Sequence, residues 1–404
     1  MARFLFVTIP EKGHLHPMLG PAHHLAAAGH EIFWHAAGNL HEPLRRAGFT
    51  RFLPLAEPLR IDPPPKSGRE FAEKLADGPW LRAWIRHLLL DTVADHVRQL
   101  EAICRAVKPQ VVVADPMVYA AVIVAERLSL PWVAMSNSLN PVLPEPGSPP
   151  DDPLRSELLD TVAWLAPARD ALFAGYGLNC RFRGCDALSP HLTLAFTTRE
   201  LVGHEVPGVA LVGPSLLPKG CGRGDEPAGW AAPRRQPSRQ LVLVSFGSQI
   251  YYQPARFRSV VEAVRDLPLD LFLSVGDLPP AAIADPLPAN VVAAPYLPQL
   301  ELLAEAALLI SHGGANSVME ALAAGVPLLL CPLCNDQYHQ AYFLRRAQVG
   351  GRLDLPATVA DCRQAIASML QPGNPARLRH EQVVASYRRQ DGALKAAELC
   401  ARLG

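Results

Sequence analysis

The sequence has 404 residues with 38 basic and 38 acidic side chains, so its formal net charge is zero. This balance argues against a protein that binds nucleic acid through a basic face. Hydrophobic residues make up 49% of the chain and charged residues 19%, which is typical of a soluble globular protein, and the length suffices for two domains.

The chain lacks the sequence marks of a membrane or secreted protein. It has no uninterrupted apolar run of about 18 residues, so no transmembrane segment is predicted. The first residues enter an apolar run without the separate hydrophobic region and cleavage site of a signal peptide. The eight cysteines follow no disulfide pattern. We therefore expect a cytoplasmic protein and leave a peripheral membrane contact open.

The first half of the chain alternates apolar runs with helical patterns, which predicts a doubly wound parallel sheet. Strands are predicted at 3–9, 30–36, 49–53, 110–114, 131–136, 191–196 and 209–212, and helices at 18–28, 39–47, 71–106, 116–128 and 154–174. Residues 10–17 are predicted to form a loop. This first turn is not a GxGxxG turn, which argues against a dinucleotide cofactor there.

Two segments of the first half interrupt this alternation. The insertion 71–106 contains the apolar stretch Trp80–Leu90. Its pattern fits a wall of an apolar pocket and a helix packed on the sheet equally well, and it does not determine whether the stretch contacts an acceptor or a membrane. The proline-rich loop 137–153 follows the carboxyl end of a strand, where ligands bind in open α/β sheets.

The second half repeats the alternation after a segment rich in proline, glycine and arginine, 214–238, which we interpret as an interdomain linker. Strands are predicted at 240–245, 269–275, 290–293, 307–311 and 326–331, and helices at 255–266, 315–324, 359–370 and about 375–402. The loop after the last of these strands ends in Asp336-Gln337. The fold class is therefore α/β, with two doubly wound halves.

One stretch of the second half predicts an anion site. An apolar strand is followed by the turn His312-Gly313-Gly314 and then by a helix from Ala315. The free amides at a helix N-terminus and the helix dipole favour a phosphate, and glycines let it approach the backbone. Asn316 and Glu320 share one helix face. Because Glu320 could accept from ribose hydroxyls, a nucleoside diphosphate is the ligand that these groups suit.

This stretch resembles the donor-binding signature of the family-one, UDP-sugar-dependent glycosyltransferases of the GT-B fold. The motifs that carry the resemblance are Leu297-Pro298-Gln299, His312-Gly313-Gly314-x-Asn316-Ser317-x-x-Glu320, Gly325-Val326-Pro327 and Asp336-Gln337. Plant members begin the segment with tryptophan, whereas Tyr296 stands there in this chain. That departure is closer to bacterial carotenoid and macrolide glycosyltransferases.

The resemblance implies two Rossmann-like domains that face each other across a cleft. It places an acceptor-binding domain at 1–213, the linker at 214–238, a nucleotide-sugar domain at 239–378, and a C-terminal helix at 379–404 that packs back on the first domain. It implies a nucleotide-sugar donor, UDP-glucose, and a lipophilic small-molecule acceptor. The residues assigned to the donor are Ser248, Tyr296, Gln299, His312, Gly313, Gly314, Asn316, Ser317, Glu320, Asp336 and Gln337.

The donor assignments have structural alternatives. Ser317-x-x-Glu320 is also a capping box, in which Glu320 folds back on its own helix terminus. Asp336 and Gln337 are assigned to the sugar hydroxyls, and the less favoured alternative for them is a solvated loop.

Sugar transfer to a hydroxyl needs a base, and histidine is suited to this by its ordinary pKa near 6.5. His14, in the first strand-to-helix loop, and Asp115, at the end of the fourth predicted strand, lie at carboxyl ends of strands of one sheet, so they can meet. Gly13-His14-x-x-Pro17 and Ala114-Asp115 match the catalytic motifs of the family. His16 is the competing base, and Asp115 could instead cap a helix.

No acidic DxD pair lies near the donor segment, so we expect metal-independent catalysis, without a cofactor, in which the helix N-terminus and His312 take the place of a cation. The Cys331-x-x-Cys334 pair has no second pair at metal-ligand spacing and does not open a helix, which disfavours a metal or redox role.

Sequence patterns favour an inverting glycosyltransferase but leave alternatives. A dTDP-deoxysugar donor fits the same motifs, and the first half does not identify the acceptor. A GT-B nucleotide-sugar epimerase would keep the fold, but the His14–Asp115 pair speaks against it. A non-catalytic accessory protein would lack the base, and both residues of that pair are present.

Overall fold

The structure is a computed structural model that describes residues 1–36, 40–54, 67–145, 153–217, 238–334, 336–371 and 374–404. Most of the predicted linker, 218–237, and the end of the proline-rich loop, 146–152, lie outside the described residues. The described chain forms two parallel β-sheets, which we call the first and the second sheet, and one two-stranded antiparallel ribbon.

The first sheet has seven strands in the order β3-β2-β1-β4-β5-β8-β9. Its central strands are continuous apolar runs because helices cover both faces. The strands of this half, including the ribbon β6–β7, are β1 Arg3–Val7, β2 Glu31–Ala36, β3 Phe52–Pro54, β4 Val111–Ala114, β5 Trp132–Ser136, β6 Arg181–Arg183, β7 Asp186–Leu188, β8 Leu192–Ala195 and β9 Val209–Leu211. The helices are α1 Lys12–Ala27, α2 His41–Arg46, α3 Gly68–Leu75, α4 Gly78–Arg86, α5 Val93–Val107, α6 Tyr119–Arg127, α7 Ala166–Gly175 and α8 Arg199–Val202.

The second sheet has six strands in the order β12-β11-β10-β13-β14-β15. Its strands are β10 Gln240–Ser245, β11 Leu269–Ser274, β12 Val291–Ala294, β13 Ala306–Ser311, β14 Leu328–Leu330 and β15 Gly350–Arg352. The helices are α9 Pro254–Val264, α10 Gln299–Leu303, α11 Ala315–Ala324, α12 Asp336–Ala347, α13 Val359–Leu370, α14 Pro375–Arg389 and α15 Gly392–Ala401. The predicted α/β architecture with two doubly wound sheets is confirmed.

Strand order reverses once in each sheet, and these two points position the site. In the first sheet the reversal lies between β1 and β4, where Val7 stands beside Ala114. In the second sheet it lies between β10 and β13, where Ser245 stands beside Ser311. Ligands bind at the carboxyl ends of strands at such switch points. The chain after each of these four strands therefore faces a potential site.

The predicted loop at 10–17 is wrong, because α1 begins at Lys12 and continues through Pro17 and Pro21. The helix accommodates both prolines, although a proline inside a helix removes a backbone donor. The loop predicted to end in Asp336-Gln337 is also wrong at its end, because these residues open α12. An acidic residue in the first turn is favoured there by the helix dipole.

Two long helix predictions are wrong in their extent. The segment predicted as a helix from 154 to 174 is α-helical only from Ala166. Short 3-10 turns at Arg155–Glu157 and Ala163–Leu165 precede it, and between them Asp160 accepts a hydrogen bond from the Val162 amide. The predicted terminal helix at 375–402 is two helices, since Asp391 caps a new helix by accepting from the Leu394 amide. The last helix, α15, packs against α1, and α14 packs against α11 and α8.

The insertion at 71–106 packs on the first sheet. It forms α3, α4, a π-helical turn at His87–Asp91, and α5. Ile85, Leu89 and Leu90 are buried in the apolar core on this face of the sheet, and Trp84 packs against the same core. The structure thus agrees with the packing interpretation of this segment.

A buried histidine pair joins β2 to α5. The Nε2 atoms of His35 and His96 are 3.0 Å apart, and His35 Nδ1 donates to the Leu53 carbonyl at 3.1 Å. His35 Nε2 is therefore the acceptor, and His96 donates to it. Burial lowers the pKa of both histidines, so both rings are neutral in the folded protein.

We expect this pair to destabilise the fold in acid. In the unfolded chain both rings take up protons below about pH 6.5, whereas the folded protein excludes them, so stability falls as the pH drops below that value. The His96→Gln variant keeps a donor to His35 and should lose less stability between pH 7 and 5. Chemical denaturation at both pH values measures this difference.

Comparison of the wild type with His96→Gln isolates the contribution of the histidine pair to the pH dependence of stability. Burial raises the pKa of Asp186 and of Asp336 to about 6, which acts with the opposite sign but equally in both proteins. His191→Gln, at an exposed histidine, is the matched control. Equal pH dependence of wild type and His96→Gln would contradict the assignment.

Candidate active site

The two switch points face a single cavity of about 860 Å³. Eleven of the residues predicted from sequence line it: His14, Ser248, Tyr296, Gln299, His312, Gly314, Asn316, Ser317, Glu320, Asp336 and Gln337. The other two stand behind this lining. Asp115 is 1% exposed and lies behind His14, and Gly313 is buried with a left-handed φ of 91°. The structure thus brings all of the predicted site residues together.

The predicted contact between His14 and Asp115 is present. His14 lies in the first turn of α1, and Asp115 directly follows β4, which is paired with β1. The Nδ1 of His14 pairs with Oδ2 of Asp115, while Oδ1 accepts from the Met117 amide at 3.0 Å. The carboxylate therefore meets the imidazole and holds the turn after β4. The helix-cap interpretation of Asp115 is wrong, because α6 begins at Tyr119 and its N-cap is Val118.

The electrostatics around His14 favour its charged form. Burial disfavours the imidazolium, but the charge and hydrogen bond of Asp115, with the charges of Glu11 and Asp336, outweigh it and raise the pKa to about 9. Because Nδ1 is held by Asp115, Nε2 is the nitrogen left for a ligand. In the ligand-free protein the ring is protonated at neutral pH, so its use as a base requires loss of that proton.

The turn after β13 prepares a phosphate site at the start of α11. The first amides of α11 have no partner within the helix, and the N-cap residue Gly314 offers no side chain to them. His312 lies between the two glycines of this region: a Cβ on Gly314 or Gly247 would stand 2.6 or 2.7 Å from its Nε2. These two positions therefore require glycine for the imidazole to lie at the cavity wall.

Burial of His312 disfavours a positive charge on its ring. Burial lowers its pKa to about 4, although the Ser245 backbone contact opposes this shift. The ring is therefore neutral in the ligand-free protein and contributes a hydrogen bond rather than a charge. The favourable potential for a diphosphate comes from the N-terminus of α11.

The capping-box interpretation of Ser317 and Glu320 is wrong, because the N-cap of α11 is Gly314 and Ser317 lies within the helix. Both side chains are instead tied to Gln299 on α10. The Nε2 of Gln299 donates to Glu320 Oε2 at 2.9 Å and to Ser317 Oγ at 3.2 Å. Three residues of the signature thus form one hydrogen-bonded group at the cavity wall.

Asp336 and Gln337 are not equivalent. The Oε1 of Gln337 already accepts from the Leu333 amide at 2.8 Å and from the Cys334 amide at 3.2 Å, which leaves its NH2 group as the part able to meet a ligand. Asp336 opens α12, and burial raises the pKa of its carboxyl to about 6, opposed by His14. The pair is part of a helix start, so the solvated-loop interpretation is wrong.

Comparisons with known proteins agree with this arrangement. Residues 230–374 match the model of the family described as "UDP-glucoronosyl and UDP-glucosyl transferase". The chain is 29% identical to demethyllactenocin mycarosyltransferase of Streptomyces fradiae, over 99% of this chain and 86% of that protein. The chain is thus similar to the family-one glycosyltransferases, through the family model in its second half and through this relative over 99% of its length.

Solved structures bear out the predicted fold. The glycotransferase of kitacinnamycin aligns with a TM-score of 0.75 and 22% identity, over 100% of this chain and 99% of the other. A Streptomyces sp. SF2575 glycosyltransferase complexed with thymidine diphosphate aligns with a TM-score of 0.65 and 20% identity, over 98% of each chain. The fold is the predicted GT-B fold.

Some cavity-lining residues were not predicted from the sequence. Asn140 and His339 line the cavity from the two halves and meet at 3.0 Å between Oδ1 and Nδ1. Asn140 also donates to the buried Asp186 at 2.8 Å, and Asp186 accepts from Ser136. The loop around Asn140 carried a signal, since it follows a strand end, but nothing in the sequence marked Asp186 or His339.

The remaining predictions concern residues outside the donor signature. The stretch Trp80–Leu90 does not line the cavity. Cys331 and Cys334 are free thiols whose pKa burial raises, to about 12 for Cys334, which disfavours thiolate chemistry. Within the described ranges, no three His, Cys, Asp or Glu side chains are grouped to hold a metal ion. In the same part of the chain, no helix has the length and apolarity to cross a membrane.

Proposed function

We propose that this glycosyltransferase moves a sugar from a nucleoside diphosphate donor to a hydroxyl of a lipophilic natural product, with inversion at the anomeric carbon. The observation that carries the proposal is the single cavity in which the His14–Asp115 pair faces the start of α11. The half with the first sheet would bind the acceptor, and the half with the second sheet would bind the donor. The predicted domain boundaries, with the acceptor-binding domain ending at 213 and the nucleotide-sugar domain beginning at 239, are part of this proposal.

In the proposed reaction, Nε2 of His14 removes the proton of the acceptor hydroxyl as that oxygen attacks the anomeric carbon. The bond from this carbon to the diphosphate breaks on the opposite face, so the configuration inverts. Asp115 stabilises the imidazolium that forms. The amides at the start of α11 and a hydrogen bond from His312 stabilise the charge of the departing diphosphate, and we propose that no metal ion is needed.

The other signature residues would hold the rest of the donor. Glu320, held by Gln299, would accept from the ribose hydroxyls, and Tyr296 with Gln299 would border the base. Ser248 would contact the phosphates, and Asp336 and Gln337 the sugar. Gln337 would donate only, because its amide oxygen is engaged by the backbone.

We propose a dTDP-linked deoxysugar as the donor. The amide oxygen of Gln337 already accepts two backbone hydrogen bonds, so it does not accept from a sugar hydroxyl. This supports a deoxysugar, which has fewer hydroxyls that need an acceptor. One similar glycosyltransferase was solved with thymidine diphosphate, and the S. fradiae relative is a mycarosyltransferase. UDP-glucose, the donor predicted from sequence, is the second candidate, and the description of the matching family favours it.

The acceptor is proposed to be an antibiotic aglycone. Demethyllactenocin and kitacinnamycin appear in the names of two similar proteins, and the cavity is large enough for a donor and part of such a molecule. We therefore expect an acceptor of the macrolide or polyketide class that carries a free hydroxyl.

Nucleotide binding and transfer test the proposal together. We expect dTDP to raise the melting temperature more than UDP does, and a dTDP-deoxysugar to release dTDP when a macrolide or polyketide alcohol is present. A stronger shift by UDP, with transfer from UDP-glucose, would overturn the donor assignment only. Release without acceptor, with a changed sugar configuration, would indicate an epimerase. Nucleotide binding without any transfer would favour an accessory role.

A further inference from the structure

Helix α1 contains two prolines four residues apart, Pro17 and Pro21. A proline inside a helix has no N–H, so the carbonyl four residues before it loses its usual helical donor. The two carbonyls left in this way are those of Gly13 and Pro17. Such backbone acceptors need another partner when water is excluded from them.

Both carbonyls accept hydrogen bonds from side chains outside α1. The Pro17 carbonyl accepts from Oγ of the buried Ser215 at 2.6 Å. The Gly13 carbonyl accepts from Nδ2 of Asn316 at 2.9 Å and, at a longer 3.4 Å, from Nδ2 of Asn137. The two prolines thus leave two carbonyls of α1 that accept hydrogen bonds from other parts of the chain.

The Asn316 contact differs from the others because it crosses between the two halves. Asn316 is the second residue of α11, whose first amides face the cavity. Gly13 directly precedes His14. One hydrogen bond therefore joins the helix start proposed to hold the diphosphate to the helix turn that carries the proposed base.

We propose that Asn316 is a positioning residue, which acts through the Gly13 carbonyl that Pro17 leaves available. Its side-chain amide holds the first turn of α1 against α11, so that His14 faces the anomeric carbon when the halves are docked. Its backbone amide remains with the other first-turn amides for the diphosphate. This inference rests on the proposed function. It assigns the side chain of Asn316 to a link between the nucleotide-sugar site and the proposed base, rather than to direct contact with the nucleotide sugar.

The Asn316→Ala variant separates the two roles. We expect the Kd for dTDP and for UDP to stay within about threefold of wild type, because the backbone amide is kept. We expect kcat to fall about 10- to 100-fold, since misplacing a catalytic group by about 1 Å has an effect of that size. A tenfold or larger rise in both Kd values with an unchanged kcat would overturn the proposal.

The Pro17→Ala variant tests the same link without touching Asn316. The restored N–H of residue 17 competes for the Gly13 carbonyl, so kcat should fall while both Kd values stay the same. In the Pro17→Ala/Asn316→Ala double variant the loss should not exceed that of the more impaired single variant. A fall in kcat of the double variant equal to the product of the two single falls, or an unchanged kcat in Pro17→Ala, would contradict the mechanism. Pro21→Ala is the matched control, because the carbonyl it affects bonds Ser215 rather than Asn316.

Hydrogen exchange gives a readout that does not depend on the reaction. With dTDP or UDP bound, the amides of the first two turns of α1, Lys12–Met18, should exchange faster in Asn316→Ala than in wild type. Equal exchange would overturn the proposed link even if kcat falls. If the wild type transfers no sugar while exchange responds to Asn316→Ala, the proposed function fails and the link stands.

Discussion

The His14→Ala variant is expected to lose about 10²- to 10⁴-fold in kcat, the range that a general base contributes. The structure supports this size of effect because Asp115 holds the ring by Nδ1 and leaves Nε2 toward the cavity. The residual rate should come from donor binding and from charge stabilisation at the start of α11. Initial rates of nucleotide release, with saturating donor and acceptor, measure the loss.

His16→Ala is the control for this prediction. His16 stands in the same helix two residues later and also lines the cavity, so it shares the location of His14 without the position in the family motif. Its replacement should change kcat much less. Both variants should bind nucleoside diphosphate as the wild type does, since the donor residues belong to the other half. A larger loss in His16→Ala than in His14→Ala would reverse the assignment of the base.

The second large effect is expected in Asp115→Asn and its pH dependence. For the wild type, kcat/KM should rise with pH through about pH 9 and level off above it, because the pKa of His14 is about 9 and the base works only when unprotonated. Without the carboxylate, only the charges of Glu11 and Asp336 oppose the effect of burial, so the pKa of His14 falls and the rise should move to lower pH. The plateau should fall by about 10²-fold or more, since the imidazolium formed in the transition state loses its counter-charge.

Asp186→Asn controls for the removal of a buried carboxylate near the cavity. Asp186 is hydrogen-bonded to Asn140 and Ser136 rather than to His14. Its replacement should leave the rising limb of the pH profile near that of the wild type. A profile for Asp115→Asn with an unshifted limb would show that a group other than His14 controls the rate.

The partnership of His14 and Asp115 could be predicted from sequence because parallel strand ends meet. Each residue follows a continuous apolar run, and β1 and β4 are adjacent in a doubly wound sheet. The anion site at α11 was predictable for a similar reason, since the strand, the glycine turn and the helix are contiguous. Such short-range patterns encode local geometry, so the donor segment appears in the structure nearly as the sequence predicts it.

Short local motifs predicted the structure less reliably where a hydrogen bond to a residue distant in sequence determined the local conformation. Residues 10–17 were predicted as a loop, yet α1 begins at Lys12, and the Gly13 carbonyl that Pro17 cannot serve accepts from Asn316 and Asn137. Ser317 and Glu320 resemble a capping box, yet both meet Gln299 from another helix. In these cases the competing structures differ by about one hydrogen bond, so a remote donor is enough to choose between them.

The α/β class, the two doubly wound halves, the donor signature and the His14–Asp115 pair could all be predicted from the amino-acid sequence, since these depend on local periodicity and on contiguous motifs. The links between the halves, such as Asn316 to Gly13 and His339 to Asn140, and the pKa shifts of His14 and His312 became visible only in the folded chain. The physical reason is that hydrogen bonds across the cleft and the desolvation of a side chain depend on which distant segments approach it.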